Sequence, residues 1–178
     1  AITNGQRLHP GARPFRVLFV GQHCVAKGFH VYASAARIAG KGFEFISIGR
    51  SSLRDGYAES VRDVITMLGH LPQSEVYAQM KAADAFVFPT LSDGFGMVQL
   101  EAMSAGLPVI ATAKCGAVVR DGIDGFIVPT GDAQAIATSL IRLREDVQLY
   151  EGMSQAAAVR STDFSPASHI ASLTAYSK

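Results

Sequence analysis

Short apolar runs without polar alternation recur along the sequence, and most are followed by a stretch with helical spacing. The runs are "RVLFVG" (16–21), "FEFISIG" (43–49), "VITMLG" (64–69), "AFVFPT" (85–90), "PVIAT" (108–112) and "FIVP" (126–129). Helical patterns lie at "FHVYASAARIAG" (29–40), "QSEVYAQMKAA" (73–83) and "GMVQLEAMSAG" (96–106), and 132–160 is long enough for two consecutive helices. A strand that is apolar on both sides must be covered on both faces, which is the environment of a parallel sheet between helical layers. Right-handed crossovers then give an α/β fold with a doubly wound parallel sheet, a Rossmann-like αβα sandwich. Ligands of such folds sit outside the carboxyl ends of the strands. Three of these ends carry chemistry here: those after Val20, Ile48 and Phe88.

Composition narrows the classes. With 178 residues, 48% of them hydrophobic and 17% charged, the chain can bury a full core of one ordinary domain. A net charge of +1 implies no polyanion-binding surface, so no nucleic acid is expected as a partner. Cys24 and Cys115 are too few for a disulfide framework and lack metal-ligand spacing, so no metal site is expected. No run is long enough to span a membrane, and no signal pattern opens the sequence. A soluble, cytoplasmic domain is expected. Residues 1–14, "AITNGQRLHPGARP", hold turn formers without period and read as a linker, with one domain over 15–178. Ser165 and Pro166 mark the start of a final helix, as N-cap and first helical residue.

The stretch "PTLSDGFGMVQLEAMSAGLPVIAT" (89–112) concentrates the candidate residues. Gly94 and Gly96 strip side chains from a turn that enters a helix, which leaves backbone N–H groups for an anion. The same pattern is also met in tight strand-to-helix turns that hold no ligand. Asp93 either favours the positive helix end or faces a ligand. Glu101 lies about one turn into the helix in an otherwise uncharged segment, so it must face solvent or a partner. A carboxylate there can accept two hydrogen bonds from a vicinal diol such as a ribose. "FVGQHCVAKG" (19–28) is a second such loop; Lys27 is its one cation, and His23 is as readily a satisfied loop histidine as a ligand. In "GHLP" (69–72), Gly69 permits a turn and Pro72 begins a helix, while His70 has no metal partners in sequence.

These pieces, in this order, resemble the C-terminal, nucleotide-sugar-binding domain of retaining glycosyltransferases of the GT-B fold, family four. The resemblance rests on two acids around a glycine–phenylalanine–glycine turn, then "LEAM" and "G-P-V", which here are Asp93, Gly94, Phe95, Gly96, Glu101 and "LEAMSAGLPVIAT". "FVGQHCVAKG", "MLGHLP" with "EVYAQMKAADAFVFPT", "VRDGIDGFIVPTGD" (119–132) and "TDFSPASHI" resemble further family segments, so almost the whole chain is covered. "TNG" (3–5) resembles the linker that precedes this domain, which implies a missing N-terminal half carrying the acceptor site. Any peripheral contact with the inner face of a membrane would be made through that half.

The resemblance implies a donor that is a nucleotide diphosphate sugar (UDP, GDP or ADP form), no cofactor and no metal. It implies that Glu101 holds the ribose hydroxyls and that Asp93 faces the sugar. Gly94 and the backbone of Phe95, Gly96 and Met97 would meet the diphosphate or sugar, and Lys27 would neutralise the diphosphate. His70 and Leu71 would contact the base through the backbone, with Gly21, Gln22 and Gly49 completing the donor site. Asp93 and Lys27 are the expected catalytic residues. The sequence departs from the family pattern at four places. Asp93 stands where glutamate is usual, shorter by roughly 1.5 Å. Gln22 stands where arginine is usual, which removes a phosphate clamp; Arg50 or a residue of the missing half is the alternative source of that charge. Ala26 replaces a frequent glutamate, and "KCGAVV" (114–119) lacks a usual glycine and acid. Two alternatives follow: a degenerate, non-catalytic transferase-like partner, and a sugar-nucleotide epimerase of the same fold, whose acid and histidine constellation is not visible.

Overall fold

Each apolar run becomes a strand because its residues bury alternately into two different cores. In β3 (Phe15–Val20), Val17 and Phe19 pack on one face and Leu18 on the other. In β6 (Ala85–Phe88), Ala85 and Val87 face the first core and Phe86 and Phe88 the second. A run that serves two cores has no polar face, and this is why it lacks alternation. The computed structural model describes residues 2, 3, 6, 7, 9–11 and 13–164.

The chain opens with a short antiparallel pair, β1 (Ile2–Thr3) and β2 (Gln6–Arg7). After β3 come α1 (Phe29–Ala39), β4 (Phe43–Ile48), α2 (Asp55–Ser60), β5 (Ile65–Met67) and α3 (Gln73–Ala82). Beyond β6 follow α4 (Met97–Ser104), β7 (Val109–Thr112), β8 (Gly125–Val128), α5 (Ala133–Glu145) and α6 (Val147–Thr162). The six strands from β3 onward form one parallel sheet in the order β5-β4-β3-β6-β7-β8. Helices α1 and α5 cover one face, with Tyr150 and Met153 of α6; α3 and α4 cover the other, with Ala157. This is the doubly wound α/β sandwich expected from the sequence.

Strand boundaries fall within two residues of the expected runs. The long segment 132–160 divides at Asp146, whose side chain accepts a hydrogen bond from Leu149 N (2.9 Å) and so caps α6. Helix α2 had no sequence expectation, and the final helix expected from Ser165 lies outside the described residues. Part of the segment read as a linker is held against the domain. His9 Nε2 lies 2.8 Å from Arg144 O, and its ring meets Tyr150 edge-on at 5.3 Å.

The strand order reverses between β3 and β6, and one buried acid fastens this seam at its amino end. Asp84, 1% exposed, accepts from the Arg13 guanidinium at 2.6 and 2.7 Å and from Arg16 N at 2.7 Å. Its own N–H donates to Arg16 O at 2.7 Å. Arg13→Ala leaves this carboxylate buried with one remaining donor. The expected loss is about 1–3 kcal/mol of unfolding free energy in urea, with an unchanged denaturant slope, between the values for exposed and buried pairs. A change below about 0.5 kcal/mol, the range of ordinary surface substitutions, would show that the pair does not anchor the seam.

Candidate functional site

At the carboxyl end of the same seam, the loops after the strands are stitched together by their backbones. Gly21 N donates to Ile48 O (2.9 Å), His23 N to Arg50 O (2.9 Å) and Gly49 N to Gly69 O (2.7 Å). The loops approach so closely that a Cβ on Gly49 would lie 1.9 Å from Gly21 O. Further along the first loop, Ala26 O accepts from Leu91 N (2.8 Å) and Thr90 Oγ1 (3.0 Å). Loop 21–28 is therefore bound to both of its neighbours before any ligand arrives.

His23 supports this loop from beneath. Its side chain is fully buried and stacks on Phe29 at 4.4 Å. Neither ring nitrogen has a hydrogen-bond partner among the described residues. Burial pushes its pKa down to about 4, so the ring is neutral near pH 7. His23 is thus a packing residue and lines neither cavity described below.

The two glycines of the α4 turn have different reasons to be there. Gly96 is the N-cap with φ +72°, and a Cβ on it would sit 2.8 Å from the Phe88 ring, so the fold itself demands glycine. Gly94 has no positive φ, and a Cβ there would meet nothing within 4 Å. No intramolecular contact requires it, and the space beside it is open to a ligand. Buried Gln99 props the turn from inside, with Nε2 donating to Phe95 O (3.2 Å) and Gly96 O (3.4 Å). Helix α4 begins without a side-chain cap, which leaves its first N–H groups for an outside acceptor.

Two adjoining cavities occupy the crevice. One, of about 510 Å³, is lined by Gly21, Gln22, Gly49, Arg50, His70, Leu71, Gln73 and Val76, among others. The second, of about 480 Å³, is lined by Lys27, Asp93, Phe95, Gly96 and Met97, among others. They share Val20, Gly21 and Glu101, so Glu101 stands at their junction. Lys27 Nζ pairs with Asp93 Oδ2 across the second cavity. Glu101 has no ion-pair partner among the described residues; its Oε2 accepts from Gln73 Nε2 at 3.2 Å. Arg50 also forms no ion pair among them and shares the first cavity with Gln22. Every residue singled out from the sequence as donor-binding lines one cavity or the other except Gly94. Gln73 and Val76 had not been singled out. Their signal was position, since both follow Pro72 at the start of the helix entered from "GHLP".

The described residues hold no group of three or more His, Cys, Asp or Glu side chains able to share a metal ion. Cys24 and Cys115 are free thiols, and burial raises the pKa of Cys115.

The family profile described as "Glycosyl transferases group 1" matches residues 14–146. The chain belongs to this family. Among group 1 relatives, the amylovoran biosynthesis glycosyltransferase of Erwinia amylovora is 32% identical over 152 residues, covering 75% of this chain and 37% of that protein. The chain thus spans well under half the length of such relatives. Among solved structures, the C-terminal domain of a group 1 glycosyl transferase from Francisella tularensis superposes with a TM-score of 0.77 at 23% identity, covering 85% of this chain and 87% of that one. The Anabaena protein HepE, solved with UDP and glucose, gives a TM-score of 0.79 at 23% identity, covering 93% of this chain and 49% of that one. These likenesses place the fold among GT-B C-terminal domains. No helix among the described residues is long and apolar enough to cross a membrane.

The depressed pKa of His23 has a consequence for stability. Between its ordinary value near 6.5 and about 4, the unfolded chain binds a proton that the folded chain does not. The contribution of neutral His23 is complete above pH 6.5 and is lost as pH falls toward 4. Relative to wild type, His23→Leu should gain stability across that window by about 2–3 kcal/mol. Chemical denaturation at pH 7, 5.5 and 4.5 checks this; parallel pH profiles for the two proteins would contradict it.

Proposed function

We propose that this chain is the donor-binding domain of a retaining, metal-independent glycosyltransferase. It moves a hexose from a nucleotide diphosphate sugar to an acceptor held by an N-terminal domain outside this sequence. The observation that carries the reading is the pair of cavities joined at Glu101. One has the size and walls for a nucleoside, and the other combines a cation, a carboxylate and an uncapped helix start.

In this reading the nucleoside lies over Gly49, His70 and Leu71, and Glu101 accepts the ribose hydroxyls. Each such charge-assisted hydrogen bond contributes roughly 1.5–3 kcal/mol. The diphosphate crosses the junction at Gly21 and meets Lys27 and the first N–H groups of α4. As the bond between the anomeric carbon and the diphosphate oxygen breaks, negative charge grows on the leaving oxygens. Lys27 and the α4 dipole stabilise that charge without a metal. On donor binding, before any bond breaks, Lys27 turns from Asp93 to the diphosphate, and the freed Asp93 carboxylate accepts hydrogen bonds from the hexose. Retention of configuration is carried over from the family resemblance. The HepE complex with UDP and glucose favours a uridine donor. Gln22, neutral where a cation is usual, favours the non-catalytic alternative; Arg50 in the same cavity offsets that loss of charge. Transfer also needs an acceptor held within roughly 3–3.5 Å of the reacting carbon, which the absent domain would supply.

Calorimetry with UDP, GDP and ADP in the presence of a chelator tests the site. One of the three is expected to bind, and Glu101→Ala should weaken it about a hundredfold or more, the loss of two such bonds. Asp93→Ala should leave bare diphosphate binding unchanged or tighter, because it releases Lys27, yet should abolish the gain in affinity conferred by the sugar. Binding to none of the three, or a larger loss from Asp93→Ala for the bare diphosphate, would overturn this assignment.

A further inference from the structure

Gln73 has no local task that its side chain performs. It is the first residue of α3, but the N-cap is Pro72 and no side chain caps that helix. Its carboxamide instead reaches across to α4 and donates from Nε2 to Glu101 Oε2 at 3.2 Å. Both residues line the same cavity, and Glu101 has no ion-pair partner among the described residues. A glutamate side chain has free torsions and ordinarily samples several rotamers. The amide takes one lone pair of Oε2 and leaves the second, with both of Oε1, for a ligand.

We propose that Gln73 is a positioning residue that fixes the Glu101 carboxylate for bidentate recognition of the vicinal diol of a nucleotide ribose. This deepens the donor-site reading above and rests on it. A neutral donor suits the task better than a lysine or arginine. It orients the carboxylate without neutralising it, so the full negative charge remains for the ligand hydroxyls. The bridge also ties the start of α3, beside the base-facing residues His70 and Leu71, to the residue that receives the sugar of the same nucleoside. Base and ribose recognition thereby share one rigid frame.

The test is calorimetry on the full chain with the nucleoside diphosphate that binds best and its 2′-deoxy and 3′-deoxy counterparts. Wild type, Gln73→Ala, Glu101→Ala and the double variant are compared. Gln73 is exposed, so its replacement should leave thermal unfolding unchanged. Wild type should prefer the ribonucleotide over at least one deoxy form by about tenfold. Gln73→Ala should weaken the ribonucleotide by about fivefold and that deoxy form by less than about twofold. In the Glu101→Ala background, Gln73→Ala should have no further effect. Equal losses for ribo and deoxy forms would assign Gln73 a merely structural role and overturn the proposal, as would no loss at all. Wild-type binding without discrimination between ribo and deoxy forms would instead overturn the role of Glu101. Absence of wild-type binding to any nucleotide would overturn the donor site itself, and the proposal with it.

Discussion

The reversal of strand order between β3 and β6 is the constraint on which the rest of the molecule depends. From this seam the chain winds outward in both directions, through β4 and β5 on one side and β7 and β8 on the other. Crossovers of fixed hand then place the helices that follow β3 and β6, α1 and α4, on opposite faces of the sheet, and a crevice opens above the carboxyl ends of the strands. The crevice is a product of topology, and side chains only line it. Asp84 closes the seam at its amino end, where no ligand is needed, with a buried charge satisfied by Arg13 and Arg16. At the carboxyl end the loops are joined by backbone hydrogen bonds instead, so the walls are firm while the floor stays open. Such preorganisation lowers the ordering cost of binding.

Electrostatics divide the crevice in two. Lys27 and Asp93 satisfy one another in the second cavity, so neither presents an uncompensated charge to solvent. A ligand that combines an anion with hydroxyl groups can exchange this pair for two new ones: the anion takes Lys27 and the hydroxyls take Asp93. An anion alone gains Lys27 but strands Asp93. A sugar diphosphate fits this bargain better than either half of it. Glu101 and Arg50 in the first cavity are not paired with one another or with any other charged side chain among the described residues. They remain open to ligand groups of opposite polarity.

Much of this was legible in the sequence, for identifiable reasons. Strands buried on both faces write an uninterrupted apolar run, and β3, β4, β6 and β7 were read closely from it. Helix α2 was not, because its six residues, with Gly56 among them, are too few to establish a period. The two-residue strands β1 and β2 carry no pattern at all. Within the site, residue type located the acids, the cation and the glycine turn. What the sequence could not distinguish was Gly96, fixed by a left-handed backbone against Phe88, from Gly94, which faces open space. Nor could it pair Lys27 with Asp93 or Gln73 with Glu101. Those contacts join residues 66 and 28 positions apart and exist only once the sheet has aligned its strand ends.

The proposed seat of the nucleotide diphosphate is the carboxyl end of this seam, across both cavities. Amide chemical-shift mapping of the labelled chain, titrated in chelator with the nucleoside diphosphate that binds, tests it most directly because it reports location as well as binding. The largest shifts are expected to cluster at residues 21–27, 49–50, 70–71 and 95–98. A separate groove lies at the α5–α6 junction, lined by Arg142 and residues 145–149, and its amides should stay unmoved. Shifts centred on that groove, or spread without focus over the surface, would contradict this placement.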